Sequence, residues 1–104
     1  MNIDIEFFDA DGYPSEETLE LIRNWDCNNS KDIFEFIHQI WMFDMWTETK
    51  KYNSLGEVTL HEYHISTGGW SGNESIIEAL QKNFIFWMRY WYQTNKGGHY
   101  IFRK

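Results

Sequence analysis

The chain opens on an alternation. Ile3, Ile5 and Phe7 interleave with Asp4 and Glu6 between Asn2 and Phe8, which is the two-residue period of a short strand. Asp9-Ala10-Asp11-Gly12 follows as a turn. Pro14-Ser15 then starts a helix, with Ser15 as N-cap and Glu16 and Glu17 complementing the dipole in the first turn. Leu19, Ile22 and Trp25 recur at helical spacing, so this helix is expected to reach about Asp26 before Cys27-Asn28-Asn29 breaks it. Ser30 is the expected cap of a second helix. There Ile33, Phe36, Ile37, Ile40 and Trp41 form an apolar face that Phe34, Met42, Phe43, Met45 and Trp46 widen. So broad an apolar surface implies a nearly buried helix or a partner interface. The Trp41–Trp46 stretch exceeds what a lone two-layer fold needs and suggests a homodimer.

Thr47 to Glu57 is polar, contains Lys50-Lys51, Asn53 and Gly56, and reads as a surface loop. Val58 to Ser66 is the clearest β segment, with Val58 and Leu60 on one face and Tyr63 and Ile65 on the other. Ile76, Ile77 and Leu80 mark a third helix ending near Asn83. Phe84 to Gln93 fits two patterns: Phe84, Trp87, Met88 and Trp91 make a helical stripe, and Phe86, Met88, Tyr90 and Tyr92 make a strand face. The strand is favoured, because aromatics prefer sheets and Thr94-Asn95-Lys96-Gly97-Gly98 resembles a hairpin loop into His99-Tyr100-Ile101-Phe102. The order β-α-α-β-α-β-β predicts one α+β domain, a small and largely antiparallel sheet packed against about three helices.

Between the clearest strand and the third helix lies Ser66-Thr67-Gly68-Gly69-Trp70-Ser71-Gly72-Asn73-Glu74. Ser71 with Glu74 three residues later forms a capping-box pattern and places the helix start at Gly72. A glycine-rich turn leading into a helix N-terminus is also the arrangement that holds an anion. Free amides converge there, the dipole is positive, and Ser66, Thr67 and Ser71 add hydroxyl donors. Trp70 would cover a planar ring or plug the core. In the strand register Trp87, Arg89 and Trp91 share a face, an arginine between two indoles, which suits bases and phosphates. His99 adds a titratable donor at the hairpin end. The expected ligand-contacting set is therefore Ser66, Thr67, Gly68, Gly69, Trp70, Ser71, Asn73, Arg89 and His99. The competing reading of the loop is a tight turn with a well-capped helix, and that of the indoles is core packing with Arg89 snorkelling.

Charge changes the picture in two ways. The formal net charge is -7, and it is unevenly spread. Met1 to Glu48 holds twelve acids against Arg23 and Lys31, or -10, whereas Thr49 to Lys104 holds four acids against seven bases, or +3. The acidic half, with Glu16, Glu17 and Glu20 on one helix, offers a surface to a basic protein. The acid-free stretch after Glu78 offers one to a small anion. Generic binding to nucleic acid or anionic membrane is disfavoured. With 42% hydrophobic and 19% aromatic residues in 104, the chain has bulk for a core and does not match the composition of disorder. It shows no apolar run of membrane-spanning length and no signal pattern, and its one cysteine, Cys27, suits a reducing cytoplasm.

Motifs of catalysis are weak. Gly69-Trp70-Ser71-Gly72-Asn73 departs from the nucleophile elbow at Asn73. His61-Glu62-Tyr63-His64 is not a zinc motif, and on a strand its two histidines point to opposite faces. Asp9-Ala10-Asp11-Gly12 lacks the later ligands of a calcium loop. His38 reads as structural, and Cys27 has no basic neighbour in sequence to activate it. No metal, cofactor or catalytic residue is expected. A small hydrolase using Glu62, His64 or His99 is the third-ranked function.

Gly12-Tyr13-Pro14-Ser15-Glu16-Glu17 leading to Arg23-Asn24-Trp25-Asp26, the nine-residue Ser66–Glu74 loop, and Gly97-Gly98-His99-Tyr100 together carry a resemblance. The chain resembles small uncharacterised proteins encoded by bacteriophages and prophages. The resemblance implies a bacterial cytoplasm during infection and transfers no activity or catalytic residue. Two functions lead: non-catalytic binding of a phosphate-bearing ligand or nucleotide at the loop, and acidic inhibition of a host (defence) factor through Glu16, Glu17 and Glu20.

Overall fold

The computed structural model describes residues 7–28, 31–43 and 45–104. The elements are α1 (Glu16–Arg23), α2 (Ile33–Ile40), β1 (Trp46–Tyr52), β2 (Val58–Ser66), α3 (Ser71–Lys82), α4 (Phe84–Tyr90), β3 (Trp91–Asn95) and β4 (His99–Arg103). The strands form one antiparallel sheet in the order β1-β2-β4-β3. The fold is α+β. The N-terminal strand expected over Asn2–Phe8 lies outside the described residues except at its end, where Phe8 bridges Pro14. None of the described helices is long and apolar enough to cross a membrane.

α1 begins where its cap chemistry places it: Ser15 Oγ accepts the Thr18 amide at 3.2 Å. Ser30, expected to cap α2, lies outside the described residues. Asp32 performs the task, its Oδ1 accepting the Phe34 amide at 2.9 Å. α2 then stops at Ile40, so Met42, Phe43, Met45 and Trp46 do not widen its apolar face. Trp46 instead starts β1, the strand that replaces the loop expected over 47–57. β1 is exposed at every position after Trp46, so it carries no apolar alternation for a period-2 reading to find. Its register against β2 and the Asn53–Glu57 turn define it. Asn53 Oδ1 accepts the Leu55 and Glu57 amides at 2.9 and 3.0 Å.

The second difference is α4, since residues 84–90 are helical and not a strand. Asn83 decides this. Its backbone amide closes α3 onto Ala79 and Leu80, while its side-chain oxygen accepts the Phe86 amide at 3.1 Å and opens α4. Its Nδ2 donates to the Ile22 and Trp25 carbonyls at 3.0 and 3.1 Å, tying the junction to the end of α1. The chain becomes extended at Trp91 and turns through Lys96-Gly97-Gly98 into β4, the hairpin that the glycines predict.

Helices cover one face of the sheet. Phe34 of α2, Phe86 of α4 and Phe102 of β4 are buried together, and Phe34 stacks on Tyr63 with centroids 4.2 Å apart. Ile22, Ile76, Ala79 and Leu80 extend this cluster between α1 and α3. The register assigns Tyr63, Ile65, Tyr100 and Phe102 to the helix-covered face, and Glu62, His64, Ser66, His99 and Arg103 to the opposite one.

Candidate functional site

The loop between β2 and α3 is held from within. Thr67, nearly fully buried, donates its amide to Gly98 O at 3.0 Å, pinning the loop to the β3–β4 turn. A Cβ at Gly98 would collide with Thr67 Oγ1, and Gly98 also has a φ of 78°, so only glycine fits there. Ser66 O accepts the Trp41 indole N–H at 3.0 Å. Asn73 is completely buried. Its Oδ1 accepts the Met42 amide at 3.1 Å, and its Nδ2 donates to Met42 O and Thr67 O at 2.9 and 3.2 Å. That inward turn accompanies a shifted helix start. Trp70 occupies the N-cap position with no side-chain cap bond, so the Ser71–Glu74 capping box does not form; Ser71 is the first helical residue. The Glu74 amide bonds Trp70 O instead.

Outside this frame the loop is aromatic. The Trp70 indole lies flat on Gly72, where a Cβ would stand 2.5 Å from Cζ2 and closer still to Cη2 and Cζ3. Tyr13 stacks on Trp70 at 5.3 Å and 13°, and Phe43 meets it edge-on at 6.1 Å. Met45 approaches Gly68, and Met42, Phe43, Met45 and Tyr13 are all exposed, Phe43 by 57%. Phe43 holds a φ of 64°, a left-handed conformation that is unusual for a bulky residue and that turns its ring outward instead of into the core. Tyr13, Met42, Phe43 and Met45 lie around the Trp70 loop and are outside the expected ligand-contacting set. The last three are expected from sequence as part of a partner surface on a longer second helix, and Tyr13 carries no such signal.

The other expected residues divide. Ser66 and His99 do come together, Ser66 Oγ lying 2.8 Å from His99 Nδ1. On the same sheet face His99 neighbours His64 with ring centroids 5.7 Å apart, and His64 Nε2 lies 2.7 Å from Glu62. Glu62 also accepts from Arg103 at 2.7 Å, and the Arg103 guanidinium covers the Tyr92 ring at 3.5 Å. The hydrogen bonds from His64 and Arg103 hold the Glu62 carboxyl below the usual glutamate range. Glu62, His64 and His99 thus converge on one sheet face. His61, as expected, points the other way, 2.9 Å from Glu48.

Arg89 does not stand between two indoles. It lies on α4, pointing at Asn28 Oδ1 (3.3 Å) and Cys27 O (3.5 Å), while Trp87 stacks directly on Trp91 at 5.8 Å. The fold therefore gives Cys27 a basic neighbour that its sequence surroundings lack. Burial nonetheless pushes its thiol up, outweighing Arg89. Glu16 and Glu20 of α1 both pair with Arg23, at 2.9 and 2.8 Å, while Glu17 is exposed. Within the Trp41–Trp46 stretch Trp41 is buried and Trp46 stacks on His38 at 4.6 Å, whereas Met42, Phe43 and Met45 are exposed. A cleft of about 270 Å³ opens beside that stack, lined by Asp32, Glu48, His61 and Lys104 among others. Four of its charged or titratable groups pair, Glu48 with His61 at 2.9 Å and Asp32 with Lys104 at 3.2 Å. Among the described residues no three metal-ligating side chains form a cluster.

No known protein family, curated protein or solved structure matches the chain.

Proposed function

We propose that the chain acts by binding a protein partner, and that the contact is the aromatic surface built on the β2–α3 loop. The observation that carries this reading is Phe43, a bulky residue in a left-handed conformation, exposed beside the Tyr13–Trp70 stack. A strained residue that leaves more than half of its apolar ring in solvent recovers little inside the fold beyond its edge contact with Trp70. An aromatic cluster of this kind is the usual anchor of a protein interface.

The partner's chemistry follows from the rim. Asp11 lies two residues before Tyr13, Glu17 is exposed in the first turn of the helix that follows, beside the Glu16–Arg23 pair, and Glu74 lies one turn beyond Trp70. These carboxylates favour a basic segment around an apolar residue that enters beside Phe43, and the net charge of -7 steers the same encounter. On the resemblance noted above, the setting is a bacterial cytoplasm and the partner a host protein. The phosphate-ligand reading draws less support, because Ser66, Thr67 and Asn73 are engaged internally and Trp70 covers the first turn of α3.

The test is cross-linking and mass spectrometry of the tagged chain in bacterial lysate, with variants. A partner that cross-links to Tyr13 or Phe43 neighbours through a lysine-rich segment, and is lost with Phe43→Ser and with Glu16→Lys/Glu17→Lys, is expected. Capture indifferent to both variants refutes the reading. Calorimetric binding of a nucleotide that competes with capture would move the function to the phosphate ligand. A second reading, proton transfer by Ser66, His99, His64 and Glu62, is favoured by their convergence. Labelling by a serine-reactive fluorophosphonate that disappears in Ser66→Ala tests it.

A further inference from the structure

The two edges of the sheet differ in kind. β1 carries Glu48, Lys50 and Lys51, the charges by which proteins keep an open edge from pairing. β3, at the other edge, reads Trp-Tyr-Gln-Thr-Asn and carries none. From Asn83 to Asn95 the one charged residue is Arg89, and its guanidinium is turned toward Cys27 and Asn28.

The helix leading into that edge is apolar on its outward side. Phe86 packs into the core, while Phe84, Ile85 and Met88 are 68%, 54% and 69% exposed and lie at i, i+1 and i+4 on the opposite face. Trp91 continues the apolar surface into β3 at 42% exposed, while Tyr92 lies under the Arg103 guanidinium on the opposite sheet face. Four large side chains in eight residues present on the order of 500 Å² per copy. Doubled, and with the main-chain area of the two paired strands added, that approaches the lower end of the roughly 1,200–2,000 Å² that stable interfaces bury.

We infer that this face is covered by a second copy of the chain, with β3 pairing antiparallel to β3 of its partner. Antiparallel pairing of one edge with itself is self-complementary about a twofold axis and needs no second type of surface. It would join the two sheets into one and set both α4 helices on the same side of the new strand pair. The uncharged edge supplies the main-chain hydrogen bonds, and Phe84, Ile85 and Met88 supply the apolar seal. This goes beyond the partner surface at Phe43, which lies on other elements and stays open in such a dimer.

Sedimentation velocity of the full chain from about 1 to about 500 µM tests it, over the range where a micromolar dimer dissociates. The expected result is a concentration-dependent shift from monomer to dimer. Met88→Glu and Thr94→Lys should each weaken dimerisation at least about tenfold, with a far-UV spectrum unchanged, while Met42→Glu on the Phe43 surface leaves it intact. Amide exchange of residues 92–95 should slow as concentration rises. A monomer at every concentration overturns the proposal. So does a dimer that survives Met88→Glu and Thr94→Lys but is lost in Met42→Glu.

Discussion

Gly72→Ala sets two physical effects against each other. The glycine sits in the first turn of α3 and its φ is not left-handed, so helix propensity alone favours alanine by up to about 1 kcal/mol. The indole of Trp70 opposes it, because the new methyl would occupy the space of three ring carbons. The ring has to leave. Its departure removes the stack on Tyr13 and the edge contact with Phe43, each about 0.5–1.5 kcal/mol. It also re-exposes on the order of 100 Å² of apolar surface, or about 2.5 kcal/mol. The steric effect wins, for a net loss of about 2.5–4.5 kcal/mol.

Urea denaturation followed by far-UV circular dichroism measures this loss, and near-UV dichroism reports the freed indole. In thermal unfolding the midpoint should fall by roughly 10–20 °C for a domain of this size. The decisive control is the same substitution in a Trp70→Ala background. There the obstacle is gone and only propensity remains, so the effect should change sign and stabilise by up to about 1 kcal/mol. Destabilisation of similar size in both backgrounds would refute the argument that Gly72 is the seat of the indole.

Asn73→Ala removes three hydrogen bonds at once and leaves the buried Thr67 carbonyl without that partner, so a loss of about 2–4 kcal/mol in urea denaturation is expected. Asn83→Ala should cost a similar ~2–4 kcal/mol, because it removes a helix cap and the bonds to the Ile22 and Trp25 carbonyls; a loss under about 1 kcal/mol would show that α4 forms without it. Phe43→Gly relieves the left-handed strain but adds chain entropy and loses the edge contact with Trp70, so stability should stay within ~1 kcal/mol of the parent while partner capture falls. Glu62 has a folded pKa below its unfolded one, so its contribution is complete above the ordinary glutamate range and lost as pH falls through the folded value. Glu62→Gln should therefore flatten the acid-side decline of stability, and an unchanged decline in that variant removes Glu62 as its source.

What the sequence disclosed follows from the range of the forces involved. β2 was legible to its ends because its alternation is local and one face is buried. α1 was legible because Ser15 and Thr18 are three residues apart. β1 was not, since an edge strand exposed along its length lacks the hydrophobic period that marks a strand. α4 was not either, because its start depends on Asn83 reaching carbonyls about sixty residues earlier in the chain, which no local window contains. At the loop, Ser66 and His99 meet through the pairing of β2 with β4, a contact between residues thirty-three apart that no local window shows. Arg89 was misplaced because its position inherited the wrong period for residues 84–90.

The loop shows why an anion-cradle pattern underdetermines its occupant. Glycines that turn the chain sharply ahead of a helix leave amides and carbonyls converging on a small space, and something must satisfy them. A phosphate is one answer. A side-chain amide is another, with the advantage of presenting an acceptor and two donors at once. Asn73 gives that second answer here, bonding Met42 in both directions and Thr67 as well. Once the interior is satisfied by the chain itself, the outward surface is free of the polar demands of a ligand pocket and is apolar: Tyr13, Phe43 and Met45 around Trp70. That surface stands on a backbone fixed by its own hydrogen bonds, so little ordering remains to be done when a partner arrives. The feature that weakens the nucleotide reading is therefore the one that supports the proposed protein contact at the same loop.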